Sequence, residues 1–93
     1  MAIAATDSFD VSAPWGVNAQ VSVRDEAFGA LAYHHVTRRL VFLKSPLLVD
    51  LVRNLERYDS AHDALRALVP ATQYARYARA LASLATAEIL RGR

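Results

Sequence analysis

The side chains best suited to metal or acid–base chemistry are three histidines, and their spacing does not bring them together. His34 and His35 are adjacent in a stretch that reads as a strand. Adjacent strand residues point to opposite faces, so these two imidazoles cannot chelate one ion. His62 lies on a different predicted element. We therefore expect structural histidines and no metal site.

Catalytic side chains also lack a matching arrangement. Asp25 and Glu26 are neighbouring carboxylates in a connection between strands, where such pairs are usually only solvated. The serines and threonines fall at predicted helix caps, in the N-terminal segment or at polar strand positions. No histidine and aspartate are placed in the sequence to activate one of them. We predict no catalytic residue, no cofactor and no enzymatic activity.

Two arginine pairs remain, Arg38 with Arg39 and Arg76 with Arg79. One interpretation is that they form two solvated faces. The other is that their guanidinium groups border a groove that takes an acidic peptide, since guanidinium binds carboxylates through paired hydrogen bonds. The sequence leaves both interpretations open.

The composition is that of one small folded domain. The chain has 93 residues, of which 54% are hydrophobic, and it has no cysteine. The absence of cysteine suits a cytoplasmic protein. No apolar run is long enough to cross a membrane, and the N-terminus lacks the features of a signal peptide. The net charge of +2 permits an acidic partner but is weak support for nucleic-acid binding.

Three short strands are predicted in the first half of the chain. Gln20–Arg24 alternates apolar and polar residues, and Ala30–Tyr33 and Leu40–Leu43 are short apolar runs. Residues 36–38 are predicted to form a wide reversal between the last two strands, because the Asn-Gly or Asp-Gly of a tight turn is missing. Phe28 is expected to pack beneath this hairpin. Nothing strand-like follows Leu43, so the outer edge of the last strand has no predicted partner in the chain.

Three helices are predicted to follow the strands. Ser45 and Pro46 form a helix start, Ser60 caps a second helix that Pro70 stops, and Thr72 caps a third that runs to about residue 88. Gly92 and the terminal arginines are expected to be a frayed end. Strands followed by helices predict an α+β domain over residues 15–91, with the helices packed on a three-stranded antiparallel sheet. Residues 1–14 are predicted to be a flexible tail.

The hairpin resembles a known family. The run QVSVRDEAFGALAYHHVTRRLVFLKSPLLVDLVRNL, residues 20–55, and within it FGALAYH and TRRLVFLKSP, are similar to the mycofactocin-system peptide chaperones. The resemblance extends over about residues 14–90. These proteins are RiPP recognition elements, small winged-helix-like domains similar to the chaperone of pyrroloquinoline quinone biosynthesis. The glycine expected near Val36 in the family's turn is missing, so we expect the hairpin tip to differ in shape.

The resemblance implies a non-catalytic role. Such a protein binds a ribosomal precursor peptide and presents it to a radical SAM enzyme, which modifies the peptide's C-terminal Val-Tyr. In related domains the leader adds as an extra strand beside the third strand, and its side chains enter a groove against the third helix. Carried onto this chain, the resemblance implies a peptide-binding site formed by Arg39, Leu40, Val41, Phe42, Leu43, Lys44, Tyr74, Arg76, Tyr77, Leu81 and Leu84.

Two alternatives belong to other functional classes. A winged-helix nucleic-acid binder would fit the basic isoelectric point, but basic residues occur on every element and the strands precede the helices. A self-associating interaction protein would use the same open edge to form a homodimer. A peptide chaperone without nucleic-acid or membrane partners is the interpretation that the resemblance favours.

Overall fold

The computed structural model describes residues 9–93, which form two antiparallel sheets and three helices. Strand β1 is Trp15–Val17, β2 is Val21–Glu26, β3 is Gly29–His34, β4 is Leu40–Leu43 and β5 is Leu90–Gly92. Helix α1 is Pro46–Asn54, α2 is Ala61–Leu68 and α3 is Tyr74–Thr86. The predicted α+β class, with a three-stranded antiparallel sheet and three helices, is confirmed. No helix among these residues is long and apolar enough to cross a membrane.

The main sheet has the order β2-β3-β4. Ala32 pairs with Val23 on one side and with Val41 on the other, so these three side chains share the face that packs against the helices. Ala30 and Ala32 are fully buried. Because alanine is small, the helical layer approaches the centre of the sheet closely.

Gly29 is required where β3 begins. Its φ is +148°, and a Cβ built there would lie 2.1 Å from the backbone oxygen of Leu43. Any side chain would therefore push β4 away from β3, and only glycine adopts this backbone conformation without strain.

Two helix starts agree with the sequence prediction. The hydroxyl of Ser45 accepts a hydrogen bond from the N–H of Leu48 at 3.2 Å, and Pro46 is the first residue of α1. Ser60 accepts from the N–H of Asp63 at 3.0 Å at the start of α2. Both bonds satisfy donors that the first turn of a helix leaves unpaired.

The predicted cap of the third helix is wrong, and the helix ends two residues before the approximate end that was predicted. Thr72 does not cap it, because residues 71–73 form a separate 3-10 turn and Gln73 occupies the cap position without a side-chain hydrogen bond. The helix ends at Thr86 because Glu88 adopts a φ of +65°, which a right-handed helix cannot contain.

A second sheet, β1 with β5, was not predicted. Trp15 pairs with Gly92 and Val17 with Leu90, so the expectation of a frayed C-terminus is wrong. The Arg93 guanidinium also donates to the carbonyl oxygens of Glu56, at 3.0 Å, and of Tyr58. The last residues are therefore tied to the rest of the domain.

The predicted tail, residues 1–14, lies partly outside the described residues, which begin at residue 9. From there the chain runs along the start of α2. The carbonyl of Val11 accepts from the N–H of His62 at 2.8 Å, and that of Ala13 accepts from the N–H of Ala61 at 3.0 Å. The domain boundary at residue 15 stays a prediction.

Candidate functional site

Strand β4 is an edge strand, as the sequence predicted. It pairs with β3 on one side, and within residues 9–93 no strand pairs with its other side. β5, which the sequence did not predict, pairs with β1 instead.

The hydrogen-bond register shows which groups of β4 face outward. The N–H of His34 donates to the carbonyl of Arg39 at 2.9 Å, so these two residues form a hydrogen-bonded pair. Bonded and non-bonded pairs alternate along an antiparallel ladder. The main chain of Val41 and Leu43 is therefore directed to β3. The N–H and C=O groups of Leu40, Phe42 and Lys44 point to the open edge.

The hairpin tip explains why the edge strand begins at Leu40. Residues 35–39 form the wide loop that the sequence predicted, and Arg38 adopts a φ of +66°. A glycine would suit this left-handed conformation best, and the chain has none there. The imidazole Nδ1 of buried His34 accepts from the N–H groups of Val36, at 3.2 Å, and Thr37, at 3.1 Å. These two bonds hold the loop without a glycine.

A groove runs between the open edge and α3. Its volume is about 300 Å³, and we call it the edge groove. Three elements supply its lining: Phe42 and Lys44 come from β4 and its end, Ser45 and Leu48 from the start of α1, and Arg76, Tyr77 and Ala80 from α3.

A hydrogen bond joins the walls of the edge groove. The hydroxyl groups of Ser45 and Tyr77 lie 3.0 Å apart, and the same Ser45 oxygen caps α1. Tyr77 is buried, so its ring forms the floor while its hydroxyl remains bonded. One serine thus fixes α3 relative to the end of β4, which sets the width of the groove before any ligand binds.

The rim of the edge groove is positively charged. Lys44 and Arg76 are both exposed, and among the described residues neither has a carboxylate within 4.0 Å. The Lys44 ammonium lies 5.9 Å from the centroid of the Phe42 ring. Asp25 and Glu26, the neighbouring carboxylates noted in the sequence, pair with other residues. Glu26 pairs with Arg24 at 2.9 Å and Asp25 with Arg53 at 2.7 Å. The rim can therefore attract an acidic side chain to an apolar groove.

The predicted site residues fall into separate groups in the structure. Phe42, Lys44, Arg76 and Tyr77 meet in the edge groove. Leu43, Leu81 and Leu84 are core residues with at most 5% exposure, and they do not line the groove.

The other predicted residues lie around the edge groove or away from it. Arg39 is exposed beside the hairpin tip, and Leu40 is exposed on the outer face of the sheet. Val41 is half-buried on the inner face. Tyr74 lines a different cavity, of about 340 Å³, where its hydroxyl lies 2.5 Å from Nδ1 of His62. A role of these residues in peptide binding stays a prediction.

Sequence reasoning missed several residues at this site. Leu48 and Ala80 line the edge groove but were not named for it. Ala80 lies one helical turn after Arg76, and that spacing could have placed both on the groove side. Phe28 was expected beneath the hairpin. It is 43% exposed and meets Phe42 edge-to-face with ring centroids 5.7 Å apart.

The remaining candidate groups make local contacts. The imidazole of His35 lies 2.7 Å from the hydroxyl of Ser22, whereas His34 and His62 make the bonds described above. Across residues 9–93, no three histidine, cysteine, aspartate or glutamate side chains are grouped to hold a metal ion.

Comparisons with known proteins identify the family of this chain. The model of the peptide chaperone MftB family matches residues 14–91. The protein named peptide chaperone MftB of Mycobacterium ulcerans (strain Agy99) is 41% identical over 90 residues, 96% of this chain and 83% of that protein. Its namesake in Mycolicibacterium smegmatis (strain ATCC 700084 / mc(2)155) is 42% identical over 84 residues, 89% of this chain and 82% of that protein.

No solved structure matches this chain. The family match covers every strand and helix described above except the end of β5. The chain belongs to the peptide chaperone MftB family and has the non-catalytic role of a peptide chaperone.

Proposed function

We propose that this protein binds the ribosomal mycofactocin precursor peptide by strand addition to the outer edge of β4 and delivers it to a radical SAM maturase. The observation that carries the proposal is the open main-chain edge of Leu40, Phe42 and Lys44 beside the edge groove. Membership of the peptide chaperone MftB family supports a peptide as the ligand.

Main-chain pairing supplies affinity. Each of the three outward-facing residues offers one N–H and one C=O, and an added strand can satisfy both. A net contribution of about 1 kcal/mol per hydrogen bond is offset by the cost of ordering the peptide. Side chains buried in the edge groove add about 1.5–3 kcal/mol each when they are large and apolar. A dissociation constant of about 1 μM or below is therefore expected.

Specificity comes from the edge groove. Alternate side chains of an added strand point to the same face, so one set enters the space above Tyr77 and between Leu48 and Ala80. Carboxylates near the ends of that segment would meet Lys44 or Arg76. The part of the peptide outside the segment stays free, which is what a maturase acting on its other end requires.

A proline substitution at the open edge of β4 tests strand addition. Leu40→Pro removes an outward-facing N–H and keeps the hydrogen bonds between β3 and β4, because proline is tolerated at an open edge. We expect binding of the synthetic precursor peptide, measured by calorimetry, to weaken by at least about tenfold, the equivalent of 1.4 kcal/mol. Val41→Pro is unsuitable, since it removes a bond to β3.

The matched control is Asp25→Pro. Asp25 lies on β2, the opposite edge strand, where the main chain alternates in the same way. The outward orientation there is visible at Val23, whose carbonyl accepts from the Arg53 guanidinium at 3.5 Å. This variant should bind the peptide like the unmodified protein. A folded Leu40→Pro variant with unchanged affinity would refute strand addition at β4.

A further inference from the structure

Two cavities meet at the open edge of β4. The edge groove lies on the side of α3. A second cavity of about 310 Å³, lined by Phe28, Phe42 and Lys44, lies on the other side, and we call it the outer cavity. Phe42 and Lys44 line both. A segment laid along the edge would therefore have a cavity on each of its faces.

The outer face of the edge strand is apolar, which is unusual for a solvated sheet face. Antiparallel sheets with one covered face normally place polar side chains on the other. Here Leu40 is 51% exposed and Phe42 is 53% exposed. With Phe28 and Val36, these are the four exposed large hydrophobic residues of the described chain, and all belong to the hairpins of this sheet.

Strand addition would cover part of this surface. The residues whose main chain faces outward, Leu40 and Phe42, are also those whose side chains lie on the outer face. Residues of an added strand that pair with them place their Cβ atoms about 4.5–5.5 Å from those of β4, on the same face. The next residues along the added strand point to the edge groove instead.

Building on the proposed function, we infer that the segment recognised by β4 is apolar on both of its faces. One set of alternate side chains fills the edge groove, and the other covers Phe42 and Leu40, with an aromatic or large aliphatic residue in the outer cavity. The ligand class is therefore a short run of consecutive apolar residues. A strand that alternates apolar and polar residues would leave the outer cavity unfilled.

Phe28→Ser tests the outer cavity without changing β4. Phe28 lies before β3, outside the lining of the edge groove. We expect the variant to bind the synthetic precursor peptide about tenfold more weakly, since a buried contact worth 1.4 kcal/mol is lost. Val36→Ser is the matched control. It removes an apolar side chain that is more exposed than Phe28, 67% against 43%, and that lines neither cavity. The affinity of this variant should stay within about twofold, because isolated surface changes have small effects.

An aspartate scan of the peptide gives an independent result. Each residue of the bound segment is replaced in turn, and affinity is measured by calorimetry. If both faces of the bound segment are buried, aspartate should lower the affinity at about four consecutive positions, because side chains on both faces of a strand are then desolvated. Losses of affinity at every second position only would overturn the inference and leave strand addition at β4 unaffected.

The outcomes separate the inference from the proposed function. Unchanged affinity of Phe28→Ser, together with weak binding by Leu40→Pro, overturns the two-sided segment alone. Unchanged affinity of both folded variants overturns strand addition as well. Light scattering of the same samples measures the mass of the free protein. If Phe28→Ser lowers that mass without changing peptide affinity, the occupant of the outer cavity is a second copy of this chain. That result would also overturn the inference.

Discussion

Glu88 occupies the position after α3 at which helices most often place glycine. The N–H of Ile89 donates to the carbonyl of Leu84 at 2.9 Å, and the N–H of Glu88 to that of Ala85 at 3.0 Å. This is the Schellman arrangement, which requires a left-handed residue, and Glu88 has a φ of +65°. Its carboxylate also lies at the negative end of the helix dipole. Both features cost stability.

Glu88→Gly should therefore stabilise the protein by about 1 kcal/mol, because glycine adopts the left-handed conformation without a Cβ clash. For a domain of this size the melting temperature should rise by about 4–8 °C. Thermal unfolding followed by circular dichroism measures the change. Glu88→Gln is the control, since it removes the charge and keeps the backbone strain. An equal gain in both variants would assign the effect to charge and contradict the backbone explanation.

At the scale of secondary-structure elements, the C-terminal residues form strand β5, where the sequence predicted a frayed end. Leu90 is 2% exposed and pairs with Val17, whereas its neighbour Arg91 is exposed. Leu90→Ala should lower the free energy of unfolding by about 3 kcal/mol, since it removes a buried side chain next to the core. That corresponds to a melting temperature lower by about 15 °C.

Arg91→Ala provides the comparison for β5. It changes a solvent-facing side chain on the same strand, and its effect should stay within about 0.5 kcal/mol. If both variants melted at the temperature of the unmodified protein, β5 would not contribute to the folded domain in solution.

The hairpin and two helix starts could be predicted because each has a local signal. The apolar runs flanking residues 35–39, and Ser45 followed by Pro46, are such signals. Strands β1 and β5 have three residues each, too few to show a period, and their pairing joins residues far apart in the chain. The edge groove was predicted in outline. The spacing of Ala80 from Arg76 was a usable signal, whereas Leu48 could not be assigned before the position of α1 beside the sheet was known.

The position of Phe28 shows another limit of sequence reasoning. A turn residue has no periodicity to fix the direction of its side chain, so the sequence favoured burial on hydrophobicity alone. The structure places Phe28 on the solvent side, against Phe42. That difference is the basis of the two-sided segment inferred above.

At the scale of the whole molecule, charge is expected to assist binding and not to dominate it. The net charge is +2, and among residues 9–93 only Lys44 and Arg76 contribute positive charge to the lining of the edge groove. Raising the salt concentration from 0.1 to 0.5 M shortens the screening length, so rim contacts weaken while strand pairing and apolar burial persist. Peptide affinity measured by calorimetry should fall by less than about tenfold over this range.

A much steeper salt dependence would contradict the dominance of strand pairing. Proteins that bind nucleic acid through several phosphate contacts lose about 10³–10⁵ in affinity over a smaller salt increase. The same titration therefore separates the peptide chaperone from the nucleic-acid-binding alternative. A duplex of random sequence serves as the comparison ligand and should show no binding at physiological salt.

The pairing of β1 with β5 has a consequence for protein engineering. It brings the N–H of Arg93 to 3.1 Å from the carbonyl oxygen of Pro14, so a linker of a few residues could join residue 93 to residue 14 in a variant without residues 1–13. The chain could then be reopened at Pro70 and Ala71, which are exposed between α2 and α3. Such a circular permutant would keep both hairpin strands continuous.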